Sequence, residues 1–242
     1  MACEKDILCQ IYRCKRTIPE EALYIDSSIT PVKFILIGRR VMFYWTILSK
    51  TKSELVRQIV DAMHEFPEDS DWLSLVKHDL NFLNIQLSDE YLQTMTKFEM
   101  KSLVRKSIQI KKNEYLHNLQ RSHSKTSKLI IGDKIQEYLV SNQLSTEMKR
   151  FLFSLRCRMS PNKTNFKGMY PDLTCRFCQI PGNEESLHHF VSCEFLQQKF
   201  PEIVQISPDD IYADLNRQIK ATQVWMKVFK SLEETLNTQA HS

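Results

Sequence analysis

Only four glycines (Gly38, Gly132, Gly168 and Gly182) occur in 242 residues, and a chain this poor in glycine lacks the residue that tight β-hairpin turns demand. An all-α fold is therefore expected. With 42% hydrophobic and 26% charged residues, the chain has enough apolar material for a core and does not resemble a disordered segment. Its length suits one helical body with a small satellite.

Hydrophobic periodicity locates the helices. Residues 1–30 carry short apolar pieces around Pro19 without a clear period and read as an N-terminal arm of short helices or irregular chain. A helical body is expected over 31–160. From Pro31 the positions Val32, Ile35, Leu36, Phe43, Tyr44, Ile47 and Leu48 recur at three and four, as one helix face requires. Ser53 is a candidate cap for the next helix, with Leu55, Ile59, Ala62 and Met63 as its inner face and Pro67 as its stop. A third helix starts near Asp69 or Ser70 and ends at Asn84. Ser88 opens a short one. Thr96 with Glu99 forms a capping box at the head of a long helix through Leu103, Ile110, Tyr115 and Leu119. Gly132-Asp133 opens a helix to about Val140, and Ser145 opens another that ends before Pro161. Residues 161–200 form a separate module, 201–236 a closing helical region, and 237–242 a polar tail in which the helix frays.

The module contains Cys175-Arg176-Phe177-Cys178, and then His189 and Cys193. The first pair sits on a tight turn. Residues four apart share a helix face about 6 Å apart, so His189 and Cys193 can join Cys175 and Cys178 around one ion, whereas His188 points about 100° away. Three thiolates and one imidazole suit zinc, and a shell closed by four protein ligands leaves no site for substrate. One structural zinc ion in a CCHC knuckle is the expectation.

The net charge is only +4, so its distribution must carry any argument about partners. Lys101, Arg105, Lys106, Lys111 and Lys112 lie on the long helix, where Lys101, Arg105, Lys112 and the later His123 recur near the helical period. Such a stripe can follow phosphates or be a solvated face. Arg150, Arg156, Arg158 and Lys163 lead into the zinc module and, with the stripe, are the candidate contacts to RNA or DNA. Phe43, Tyr44, Trp45, Trp72, Phe98 and Phe151 are assigned mostly to the core. Phe177, inside the turn, is expected to be exposed for stacking on a base, or else to cover the metal site.

No glycine-rich phosphate loop, Gly-x-Ser-x-Gly elbow or His-Glu-x-x-His helix occurs. Asp209-Asp210 could hold magnesium, but Ser207-Pro208-Asp209-Asp210 also matches a helix start. Cys3, Cys9, Cys14 and Cys157 are read as buried or idle thiols. The N-terminus lacks the apolar core of a signal peptide, and the longest apolar run, about Val41 to Leu48, is far short of a membrane span. An intracellular location, in nucleus or cytoplasm, is expected, with no membrane partner.

Taken in order, these segments resemble the C-terminal region of non-LTR retrotransposon reverse transcriptases, downstream of the polymerase palm. Pro19 to Ile25, Pro31 to Ile35, Arg39-Arg40, Ile47-Leu48 and Asp71-Trp72 resemble the stretch after that palm. Leu155 to Met159, Asn165-Phe166, Cys175, Cys178, Glu184-Glu185, His189-Phe190-Val191 and Cys193 resemble the terminal zinc knuckle. The resemblance implies a segment that helps hold template RNA and target DNA. No polymerase aspartate pair is present, and nothing after Cys193 resembles an endonuclease, so neither polymerisation nor cleavage is expected. The alternative is a domesticated, zinc-stabilised helical scaffold for protein partners.

Overall fold

The computed structural model describes residues 2–12, 14, 17–50, 54–65 and 72–240, side chains excepted at 2, 3, 124 and 235–240. The fold is all-α, with no strand among the described residues. In chain order the α-helices are α1 (Ala2–Tyr12), α2 (Glu20–Ser27), α3 (Val32–Leu48), α4 (Leu55–Glu65), α5 (Trp72–Phe82), α6 (Asp89–Thr94), α7 (Lys97–Ser122), α8 (Glu137–Val140), α9 (Thr146–Arg156), α10 (Leu187–Ser192), α11 (Glu194–Lys199) and α12 (Leu215–Ala240). They fall into two compact units. One comprises Met1–Ser28 with Gln120–Ser242, the other Ile29–Leu119.

In the unit spanning Ile29–Leu119, the buried stripe of α3 (Val41, Tyr44, Trp45, Ile47, Leu48) packs against Val60 of α4, Leu73, Val76 and Leu80 of α5, Leu92 of α6, and Met100 and Val104 of α7. Trp45 Nε1 donates to the Leu92 carbonyl at 3.0 Å, satisfying a buried donor. Arg40 grips the buried Asp79 with two bonds, 2.7 and 3.1 Å. The caps fall where the sequence places them. The Ser88 side chain accepts from the Tyr91 amide, and Thr96 and Glu99 exchange the reciprocal bonds of a capping box. Asn84 adopts a left-handed φ of 56° while the Ile85 amide reaches back to the Leu80 carbonyl, the closure that ends many helices.

α4 differs from expectation. It buries Arg57 and Val60 and leaves Leu55, Val56 and Ile59 largely exposed. The Arg57 guanidinium donates to the Leu48 carbonyl and to Asp61, both at 2.9 Å, so the helix is rotated to cover this cation rather than its longest apolar stripe. The expected Ser53 cap, Pro67 stop and Asp69 or Ser70 start lie outside the described residues.

In the other unit the N-terminal segment is core rather than arm. α2 buries Ala22, Leu23, Tyr24 and Ile25 almost completely, and its Asp26 anchors a polar knot. Arg156 donates to both Asp26 oxygens at 2.8 and 3.0 Å and to the Ile211 carbonyl at 2.8 Å. Tyr138 donates to Asp26 at 2.8 Å. The helix expected from Gly132 is reduced to α8. The Gln136 amide instead bonds the Asp26 carbonyl and Ser28 Oγ bonds the Gly132 carbonyl, which keeps this stretch off the helical path. Ser145 caps α9 by accepting from the Met148 amide. α12 buries Ala221, Val224, Trp225, Val228, Phe229 and Leu232 and stays helical to Ala240, beyond the expected fraying point. No described helix is long and apolar enough to cross a membrane.

Candidate metal centre

The Cys-x-x-Cys turn is built by backbone bonds. The Cys175 amide donates to the Asn183 carbonyl, the Gln179 amide to the Cys175 carbonyl, and the Glu185 amide to the Leu173 carbonyl, around an isolated antiparallel bridge between Thr174 and Glu184. Gln179 and Gly182 take positive φ, 53° and 87°. At Gly182, after Pro181, the missing Cβ makes that turn accessible without strain. α10 then supplies the second pair of ligands. Its cap, Ser186, accepts from the His189 amide, and Cys193 sits at its end.

Cys175, Cys178, His189 and Cys193 converge, their ligand atoms all within 4.8 Å of one another. Cys178 Sγ and His189 Nε2 are 3.4 Å apart. The quartet could hold one metal ion. Burial pushes the Cys175 thiol up to about 12, raises Cys193 and lowers His189. Burial pushes upward at Cys178 too, but bonds from the Ile180 amide and Asn183 outweigh it and bring that thiol down. A bound cation would reverse the penalty on the thiolates, since the ion is the largest charge in such a site.

Two supports that the spacing of ligands does not reveal hold this arrangement. Glu185 is fully buried and accepts from Arg176 Nε at 2.6 Å, from the Arg176 amide at 3.1 Å and from the Lys163 amide at 3.0 Å. It therefore ties the turn to the segment before it. The acidic Glu184-Glu185 pair is visible in the sequence, but its burial is not. The second support is aromatic. Phe177 stacks on Phe195 (6.0 Å between centroids) and meets Phe190 edge-on (5.6 Å), and Phe190 in turn contacts Trp225 and Phe229 of α12. Phe177 is 9% exposed, so the expectation of an open stacking face is corrected. Its ring packs on Phe190, and it is Phe190 that roots the module on the closing helix.

The basic residues separate sharply. Lys101, Arg105 and Lys106 are exposed along α7. Lys111 is half-buried, paired with Glu114 at 3.1 Å and lying over the Phe82 ring. Lys112 is 2% exposed and Arg156 3%, which removes both from any surface contact. His123 lies past the end of α7, its Nδ1 3.1 Å from Glu21. Lys163 is turned inward to the Thr174 carbonyl at 2.9 Å. Arg150 and Arg158 are half-buried. Phe98, expected inside, is 81% exposed, and Phe43 56%. Phe98 precedes the first buried position of α7, Met100, and so falls on the outer face beside Lys101 and Arg105.

Asp209 and Asp210 follow the helix-start reading. The Ser207 amide donates to Asp210 at 2.7 Å, completing a capping box at the 3₁₀ turn Pro208–Tyr212. Cys9 and Cys157 are buried, and the Cys3 side chain is outside the described residues. Comparison with protein-family models, with curated proteins and with solved structures found no match.

Proposed function

We propose that this chain is a non-catalytic nucleic-acid-binding segment organised around one structural zinc ion, akin to the C-terminal part of a non-LTR retrotransposon reverse transcriptase. The zinc assignment is supported by the donor set. Zinc–sulfur bonds of about 2.3 Å and zinc–nitrogen bonds of about 2.0–2.1 Å in a tetrahedron put sulfur and nitrogen about 3.5 Å apart, close to the 3.4 Å between Cys178 and His189. Three thiolates also select a soft or borderline metal over magnesium or calcium, and they suit a reducing compartment such as nucleus or cytoplasm.

The observation that carries the nucleic-acid reading is the outer face of α7. There the exposed Phe98 is followed by exposed Lys101, Arg105 and Lys106. An aromatic platform with cations at helical spacing suits a single strand, whose bases stack while its phosphates pair. The test measures binding of fluorescent single-stranded RNA and DNA against salt. Changing Lys101, Arg105 and Lys106 together to Glu should flatten the slope of log affinity on log salt by about 2, at about 0.7 for each single-strand phosphate that is no longer neutralised. An unchanged slope would transfer the function to the rival reading. That rival, a scaffold for protein partners, is favoured by the apolar stripe Leu55, Val56 and Ile59 exposed on α4. Elemental analysis of protein purified without chelator should return one zinc per chain, and a value near zero would remove the zinc assignment.

A further inference from the structure

A cleft of about 270 Å³ opens beside the metal centre. It lies between the end of α9, the 3₁₀ segment Lys163–Met169, the first turn of α10 and the 3₁₀ turn Pro208–Tyr212. The adjacent histidines divide between the two sites. His189 faces the thiols, while the neighbouring His188 lines the cleft. The cleft's charged walls are Lys128, Arg158 and Lys167 against a single acid, Asp209.

Arg158 is the residue that gives the cleft its character. It stands at φ 51°, just past α9, where the Met159 amide closes back on the Ser154 carbonyl. Glycine or asparagine commonly fills such a left-handed stop, because other side chains are strained there. Here the position instead carries a guanidinium that lines the cleft beside Tyr212, and no carboxylate among the described residues pairs with it. The other two cations pair with carboxylates that are more than half exposed. Lys167 lies 3.4 Å from Glu184, with both side chains more than half exposed, and Lys128 pairs with Asp209, whose side chain is 57% exposed.

A concave site with excess positive charge, a guanidinium fork and polar walls favours a multi-oxygen anion that can touch more than one cation at once. We propose that this cleft receives one phosphate group of the bound nucleic-acid strand, held by Arg158 with Lys167 and with Lys128 once Asp209 swings aside. The inference rests on the nucleic-acid reading for the source of that phosphate. The cleft's affinity for phosphate as such does not depend on it.

The experiment follows backbone amide NMR shifts of the metal-loaded full chain as inorganic phosphate is added, with potassium chloride at matched ionic strength as control. Saturable shifts at Arg158, Asn165 and His188 are expected with phosphate and not with chloride. Arg158→Gly is the informative variant, because glycine suits the left-handed backbone and the fold should survive. It should weaken both phosphate and oligonucleotide binding about tenfold, the scale of a lost charge-assisted hydrogen bond. Asp209→Asn should tighten phosphate binding, since it removes the competing carboxylate. Absence of any saturable shift beyond the chloride control would overturn the site while leaving the α7 measurements untouched. Phosphate binding with oligonucleotide affinity unchanged in Arg158→Gly would overturn the assignment to a strand and leave a pocket for free phosphate.

Discussion

Arg156 and Arg158 are two positions apart and indistinguishable by composition, yet they have opposite fates. Arg156 is closed into the knot with Asp26, Tyr138 and the Ile211 carbonyl, and Tyr212 donates back to its own carbonyl at 2.9 Å. Removing one partner of a buried pair leaves the other charge without solvation, at a cost of about 3–5 kcal/mol. Arg156→Ala should therefore lower the urea midpoint by that much stability with little change in slope, and should leave oligonucleotide affinity intact where the protein is still folded. A surface role would give the reverse pattern. Local sequence cannot separate the two arginines because the deciding carboxylate lies 130 positions earlier, beyond any local period. The metal quartet is legible for the opposite reason. Its ligands lie within nineteen residues, Cys175 to Cys193, and both pairs obey short-range geometry, a turn and a helical i, i+4 step.

At the level of elements, what the chain encodes locally is readable and what it encodes by contact is not. Thr96 with Glu99, Ser145, Ser88 and Asn84 mark ends because each makes its bonds within a few residues. The rotation of α4, the burial of α2 and the extended stretch before α8 are set by partners in other elements. α3 shows both at once. Gly38 sits mid-helix, where glycine costs about 1 kcal/mol relative to alanine, and a Cβ there would come 2.6 Å from the Ile108 Cδ1 of α7. The glycine thus gives up helix propensity for close approach. Gly38→Ala alone should change stability by less than about 1 kcal/mol, because the propensity gain is offset by displacing the tip of Ile108. Placed on Ile108→Val, which removes that Cδ1, the same substitution should become clearly stabilising. A double-mutant cycle in urea reads the coupling directly, and simple additivity would show that the close approach does not govern this position.

For the whole molecule, the two units should respond differently to loss of the metal. The unit spanning Ile29–Leu119 has its own core from Val41 to Val104 and includes none of the four ligands. In the other unit, an ion held by the quartet would fasten the Cys-x-x-Cys turn to α10, and Phe177 packs on Phe190, which contacts Trp225 and Phe229 of α12. Without an ion, three thiols and an imidazole remain crowded together with no cation to favour the thiolates, and metal binding energy of this kind is folding energy. A chelator strong enough to strip the ion should abolish amide-exchange protection across the Cys175–Cys193 module and weaken it along the packed face of α12. Protection at Val41, Trp45 and Val76 should persist. The thiols of Cys175, Cys178 and Cys193 should become reactive in the same step, while Cys157, fully buried and with its thiol pushed well up by burial, should react only on global unfolding. Loss of protection in both units together would show that the metal supports one cooperative structure, and no loss in either would show that the Phe177–Phe190–Phe229 cluster holds the module without it.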